Sequence, residues 1–153
     1  MSASASVLSA LKTAKAKGQL SPASLANAAG WLESGALPPA AVEALADLVA
    51  QGAWAELEDR FYKGIAFGTG GMRGRTVGRV TAANELDAAG LPIRAAVGSA
   101  CLNDFNVLRA GLGLWRQASA QNPTPRLVVA HYLHQQFLIE LLSTGYLIRH
   151  AKR

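Results

Sequence analysis

Phe67-Gly68-Thr69-Gly70-Gly71-Met72-Arg73-Gly74-Arg75 is where the chain changes character. Four of the seven residues from Gly68 to Gly74 are glycine. Glycines without Cβ atoms let backbone N–H groups come close to a bound phosphate. Thr69 adds a hydroxyl. Arg73 adds a planar fork able to hold two phosphate oxygens at once. Were the segment after the glycines extended, the period of two would put Arg73 and Arg75 on one face. The segment also divides the chain, with helical periodicity before it and short, turn-rich segments after it.

On the N-terminal side, Val7, Leu8 and Leu11 recur at helical spacing up to a stop near Gly18. Ser21-Pro22 starts a second helix, because the serine oxygen can cap free N–H groups and proline fits the first turn. That helix carries Leu25, Ala28 and Leu32 and stops near Gly35. Pro38-Pro39 opens a third, with Val42, Leu45, Leu48 and Val49 on one face and Gly52 closing it. Trp54, Leu57 and Phe61 predict a short fourth. On the C-terminal side, Ile65 to Val80 reads as a strand interrupted by a glycine loop, and Thr81 to Cys101 mostly as loop. Asn106 can cap a helix through Leu108, Leu112 and Trp115. Asn122-Pro123-Thr124-Pro125 is a turn, Leu127 to Ala130 a short buried strand, and Phe137 to Ile148 a last helix. Helices followed by strand, helix, strand and helix predict an α/β fold: an incomplete three-layer α/β/α domain behind a helical N-terminal extension. The extension is residues 1–54 and the partial domain residues 55–153.

A chain of 153 residues with 50% hydrophobic and 16% charged residues is not composed like a disordered one. Its length allows burial of about two-thirds of the unfolded surface. So low a charge suggests a surface that another domain or subunit covers. The single cysteine, Cys101, rules out an internal disulfide framework and a Cys-rich zinc site. It reads as a buried structural thiol rather than a nucleophile. The expected location is cytoplasmic: no apolar run reaches the roughly 20 residues of a membrane span, and the start carries scattered lysines instead of a secretory signal. Ser, Ala and Lys dominate that start, with no acid before Glu33, a composition faintly like a transit peptide. The net charge of +5 suits an anionic ligand. The basic residues are scattered, apart from Arg73, Arg75 and Arg79 and the terminal Arg149, Lys152 and Arg153. They form no nucleic-acid motif, so no nucleic-acid partner is expected.

The glycine segment fits neither of two familiar loops. No Gly-Lys is followed by Ser or Thr, as a phosphate-binding Walker loop requires. The sixth place counted from Gly68 is Arg73, where the dinucleotide fingerprint needs glycine. A glycine-rich turn without a ligand remains the alternative. His131 and His134 lack further convergent ligands and read as ordinary histidines. Ser143-Thr144-Gly145 reads as a helix end.

The longer run Leu57-Glu58-Asp59-Arg60-Phe61-Tyr62-Lys63-Gly64-Ile65-Ala66-Phe67-Gly68-Thr69-Gly70-Gly71-Met72-Arg73-Gly74 resembles the N-terminal signature of the α-D-phosphohexomutases, in particular the phosphoglucomutase and phosphopentomutase branch. Leu102-Asn103-Asp104-Phe105-Asn106-Val107-Leu108-Arg109-Ala110 is similar to the family's next helix start, and Leu127-Val128-Val129-Ala130-His131 to its next strand. The resemblance spans roughly Ala55 to His131. It implies the first of four domains, of α/β/α layers, in an isomerase that moves a phosphoryl group within a sugar phosphate. In such proteins a phosphoserine donates the group, a sugar bisphosphate is the intermediate, and magnesium sits between the phosphoserine and an aspartate-rich loop. The resemblance places Arg73 beside the phosphoserine, and Gly68, Thr69, Gly70, Gly71 and Arg73 become the phosphate-binding set.

The chain also departs from the pattern. It has no Thr-Ala-Ser-His-Asn-Pro type loop, so no catalytic serine is assigned. It has no aspartate-rich magnesium loop, and Tyr132-Leu133-His134-Gln135-Gln136 stands where an aspartate and an arginine are expected. The expectation is therefore a truncated or frame-altered N-terminal fragment, inactive alone and without a cofactor or metal of its own, for which a partner chain could supply the missing domains. The alternative is a non-catalytic anion-binding or interaction module.

Overall fold

The computed structural model describes residues 2–69, 71–124 and 126. The chain divides into two compact units, Met1–Asn106 and Val107–Arg153. In the first unit the helices start where capping chemistry permits. α1 (Ala3–Ala16) is capped by Ser2, whose hydroxyl accepts from the Ala5 N–H at 3.3 Å. α2 (Pro22–Glu33) is capped by Ser21, which accepts from Ser24 N–H at 3.1 Å, with Pro22 in the first turn. α3 (Pro39–Ala50) opens on Pro39, and α4 (Trp54–Phe61) follows it closely. The first three stop just before Gly18, Gly35 and Gly52, whose φ values of 71°, 67° and 65° reverse the chain at little steric cost.

The apolar stripes of these helices meet in one core. Val7 and Leu11 of α1, Leu32 of α2, Leu45 and Leu48 of α3, and Leu57 and Phe61 of α4 are buried together, with Ala82 and Val97 from the later loops. Trp31 packs edge-on against both Phe61 and Phe105, at centroid distances of 5.9 and 5.7 Å. Polar side chains fix how α2 and α4 meet. Glu58 accepts from Ser21 N–H at 2.9 Å, and Asn27 donates to the Phe61 carbonyl at 2.7 Å. On the far side of α3, Asp47 accepts from Ala83 N–H at 2.6 Å and Asn84 donates to the Ala40 carbonyl at 2.8 Å. These bonds hold a short 3₁₀ turn, Ala83–Glu85.

The extended part of the described chain is small. β1 (Phe67–Gly68) and β2 (Gly71–Met72) pair antiparallel, Phe67 with Met72 and Gly68 with Gly71. At the coarse level the fold is the expected mixture, helices with a small sheet. The strand expected from Ile65 to Val80 is reduced to this hairpin. Past it the backbone bonds to a neighbouring loop instead: Ala96 N–H donates to the Thr76 carbonyl at 2.7 Å and Leu102 N–H to the Arg75 carbonyl at 2.9 Å. Residues 81–101 are mostly loop, as expected, with one isolated bridge between Leu86 and Pro92.

α5 (Asp104–Gln121) begins two residues before the expected cap. Asn103, not Asn106, performs the capping, its Oδ1 accepting from Asn106 N–H at 3.1 Å. At the end of α5, Asn122 Oδ1 accepts from Thr124 N–H at 2.9 Å, within the expected turn, whose Pro125 lies outside the described residues. The Leu127–Ala130 strand, the Phe137–Ile148 helix, His131, His134, Ser143 and the terminal basic cluster lie outside the described residues. Among the described residues no helix is long and apolar enough to cross a membrane.

Candidate functional site

The glycine segment forms one wall of a pocket of about 350 Å³. One arm brings Lys63, Ile65, Ala66 and Gly68, the tip Thr69, and the returning arm Gly71 and Arg73; Ala100 lines it from a separate loop. Within the two strands the pleat sorts the residues: the cross-strand partners Gly68 and Gly71 line the pocket, whereas the partners Phe67 and Met72 do not. Gly68 pairs with Gly71, so the chain reverses between these two positions. Gly71 has φ 106°, a conformation that favours glycine.

The structure thus brings Gly68, Thr69, Gly71 and Arg73 together on one cavity. Gly70 lies outside the described residues. Arg73 and Arg75 do not act from one face: β2 ends at Met72, and Arg75 is drawn to Glu56 at 3.0 Å and Asp59 at 3.2 Å. The described lining residues carry two cationic side chains, Lys63 and Arg73, and no carboxylate.

The sequence reading missed what holds this pocket open. Arg60 is fully buried on α4. Its Nε donates to Glu56 at 2.7 Å, Nη1 to Glu85 at 2.6 Å, and Nη2 to Glu85 at 2.9 Å and to the Val80 carbonyl at 2.8 Å. Glu56 also receives Arg75 and the Arg79 N–H, and Glu85 receives the Ala82 N–H. Burial alone would push the Glu56 carboxyl up; hydrogen bonds from Arg60 and then Arg75 outweigh it and hold the group below its ordinary value. The Arg60 guanidinium is likewise held more strongly protonated than usual, because Glu85 and Glu56 outweigh its burial.

From this network a loop is anchored against both arms of the pocket. The Arg60 carbonyl accepts from Ala100 N–H at 2.9 Å, Ser99 Oγ donates to the Lys63 carbonyl at 2.7 Å, and Ile65 N–H donates to the Ser99 carbonyl at 2.7 Å. Asn103 and Asn106 gather the loop from behind. Asn103 Nδ2 donates to the Ala96 and Gly98 carbonyls, both at 2.9 Å, and Asn106 Nδ2 to the Cys101 carbonyl at 2.8 Å. A signal for the pair was present: Glu56 and Arg60 are four apart on a helix, flanking the buried Leu57. Glu85 is distant in sequence, so its part was not legible.

Compared with protein-family models, with curated proteins and with solved structures, the chain has no match in any of the three. What the site can do is therefore argued from its own groups. Glycine backbone, a hydroxyl and two cations suit a phosphate or a similar oxyanion. Among the described residues no group of three or more His, Cys, Asp or Glu side chains is placed to hold a metal ion. Glu56, Glu85 and Asp59 are engaged by Arg60 and Arg75, an arrangement that does not fit a magnesium centre. Cys101 is buried as expected, and burial pushes its thiol up despite the opposing charges of Arg75 and Arg60. That is the wrong direction for a nucleophile.

Proposed function

We propose that the hairpin pocket is a phosphate site, and that the chain is the first-domain part of a phosphohexomutase-type protein of sugar phosphate metabolism. The supporting observation is the shared cavity of Gly68, Thr69, Gly71, Lys63 and Arg73. It joins a close-approach backbone to two cations, the equipment that a transferring phosphoryl group needs. The layered α/β/α arrangement and the sugar phosphate ligand belong to this proposal. The role proposed for these residues is to bind phosphate. The sequence assigns no phosphoserine and no magnesium aspartates, and no turnover is proposed for them.

A second reading is favoured by the apolar residues left on the surface, Phe67 and Leu91, which are 57% and 62% exposed. It makes the chain an interaction module that uses the same anion pocket without mutase chemistry. Both readings need Arg73. Arg73→Ala should weaken phosphate binding roughly tenfold or more, the worth of a charge-assisted hydrogen bond. Arg73→Lys should recover only part, because a point charge replaces a fork. Lys12→Ala, an exposed change on α1, is the control. A titration with inorganic phosphate followed by amide NMR shifts reads all three. Equal losses for Arg73→Ala and Lys12→Ala would mean diffuse attraction by net charge and no site here.

A further inference from the structure

We infer that Lys63 is a specificity-determining residue of this pocket, the second cation that makes it a site for dianionic phosphomonoesters over monoanionic diesters. The inference rests on the phosphate reading and adds to it the charge state of the ligand. Lys63 stands outside the glycine segment, five residues before Gly68, yet it lines the same cavity as Arg73. It comes from the opposite arm of the hairpin, so the two cations approach the cavity on separate stretches of backbone.

The backbone arms that carry them are tied by bonds away from the cavity. The Lys63 carbonyl is held by Ser99 Oγ at 2.7 Å, and the next residue but one, Ile65, is tied to the Ser99 carbonyl at 2.7 Å. On the other arm, Leu102 N–H holds the Arg75 carbonyl at 2.9 Å. Gly74 lies so close to the first arm and to the loop that a Cβ there would stand 2.9 Å from Ile65 Cδ1 and 3.1 Å from the Leu102 nitrogen. One loop, residues 99–102, thus spaces the two arms.

The Lys63 side chain is also placed. Its Nζ lies 4.9 Å from the centre of the Tyr62 ring, within the range of a cation–π contact. That contact favours one region of space for an otherwise flexible ammonium. Two cations lining one cavity reward the second negative charge of a ligand, and a phosphomonoester carries roughly −1.5 to −2 at neutral pH. A phosphodiester carries one charge. It would meet the Arg73 fork but give Lys63 little to neutralise.

Amide NMR titrations of the full chain with methyl phosphate and dimethyl phosphate at pH 7.5 test this. The wild-type protein should prefer methyl phosphate by about tenfold or more, a factor typical of one charge-assisted contact. Lys63→Gln should reduce that preference to about two- or threefold, weakening methyl phosphate several-fold more than dimethyl phosphate; Lys63→Arg should keep the preference. Lys63 is exposed, so the fold should survive, and unchanged amide shifts of α1–α4 verify that. An undiminished preference in Lys63→Gln overturns the inference and leaves the phosphate reading intact. Equal losses for both ligands also overturn it, since Lys63 then supplies attraction without selectivity. If Arg73→Ala binds methyl phosphate as well as the wild type does, the phosphate reading itself fails, and this inference fails with it.

Discussion

Arg60 offers five N–H donors to an interior where each unmet donor costs free energy, and the fold answers with two carboxylates and backbone carbonyls. Breaking such a buried set from one side leaves the rest uncompensated, which is far more costly than losing an exposed pair. Glu56 ties this buried set to Arg75, whose side chain is one-quarter exposed, and this gives a pH test. The Glu56 carboxyl is held below its ordinary value in the folded chain. Its contribution is therefore complete above the usual glutamate pKa of about 4.3. It is lost as pH falls through the lowered folded value, because the unfolded state then binds the proton first. Arg75→Gln removes one of the two guanidinium partners, so Glu56 should titrate nearer its ordinary value. Urea unfolding should show the variant less stable by about 1 kcal/mol at pH 7, with solvent screening of the one-quarter-exposed Arg75 allowed for. The two proteins should converge toward pH 3. A gap that stays constant from pH 7 to pH 3 would mean that Arg75 acts through packing rather than charge.

The loops beside α4 are shaped by close approach to that same arginine. A Cβ on Gly78 would collide with Arg60 Nη2 and stand 2.5 Å from the Val80 carbonyl oxygen; one on Gly98 would stand 2.5 Å from the Arg60 carbonyl oxygen. Backbone cannot yield as a side-chain tip can. Gly78→Ala and Gly98→Ala should each cost about 1–3 kcal/mol, the usual range for overpacking. Gly30→Ala, inside α2 where a Cβ meets nothing within 4 Å, should instead stabilise by about 0.5–1 kcal/mol through helix propensity. Thermal melts that rank Gly30→Ala with the other two would deny the close packing. The contrast also shows what the sequence could reveal. Helices α1 to α4 were legible because apolar spacing, Ser-Pro starts and glycine stops are local signals. The glycine hairpin was legible as a candidate site from composition. The ends of the strand, the cap at Asn103, the partners of Arg60 and the place of Lys63 were not. The cap at Asn103 is local, three residues from the Asn106 N–H it accepts from, and a second asparagine at 106 competes with it in the sequence; the others depend on residues distant in sequence, such as Glu85 or Ser99, and no local pattern encodes such a pairing.

At the scale of the whole first unit, the helices and the loops are bound by shared groups. Val97 and Ala82 complete the core of Val7, Leu11 and Leu48, and Glu85 completes the charge set of α4. Opening the loops exposes Arg60, and opening α4 removes Leu57 and Phe61 from the core. Neither part can open cheaply while the other stays closed. The hairpin differs. Its strands are two residues each, Phe67 is exposed, and the cavity lies beside it, so it can open while the core stays closed. Native-state amide exchange should therefore divide the unit in an order that chain position would not suggest. The amides of Leu11, Leu45, Ala96, Ala100 and Leu102 should exchange only through global unfolding, with opening free energies within about 1 kcal/mol of each other. Amides of residues 67–72 should exchange through openings several kcal/mol cheaper. Phosphate, bound through Arg73 and the hairpin, should slow exchange in the second set alone at low occupancy, because ligand binding draws on the closed form of that segment. Loop amides at Ala96 to Leu102 that exchange as fast as the hairpin would show that the Arg60 network does not join loop to helix. The spacing of Lys63 and Arg73 would then lack the rigid support on which two-cation recognition depends.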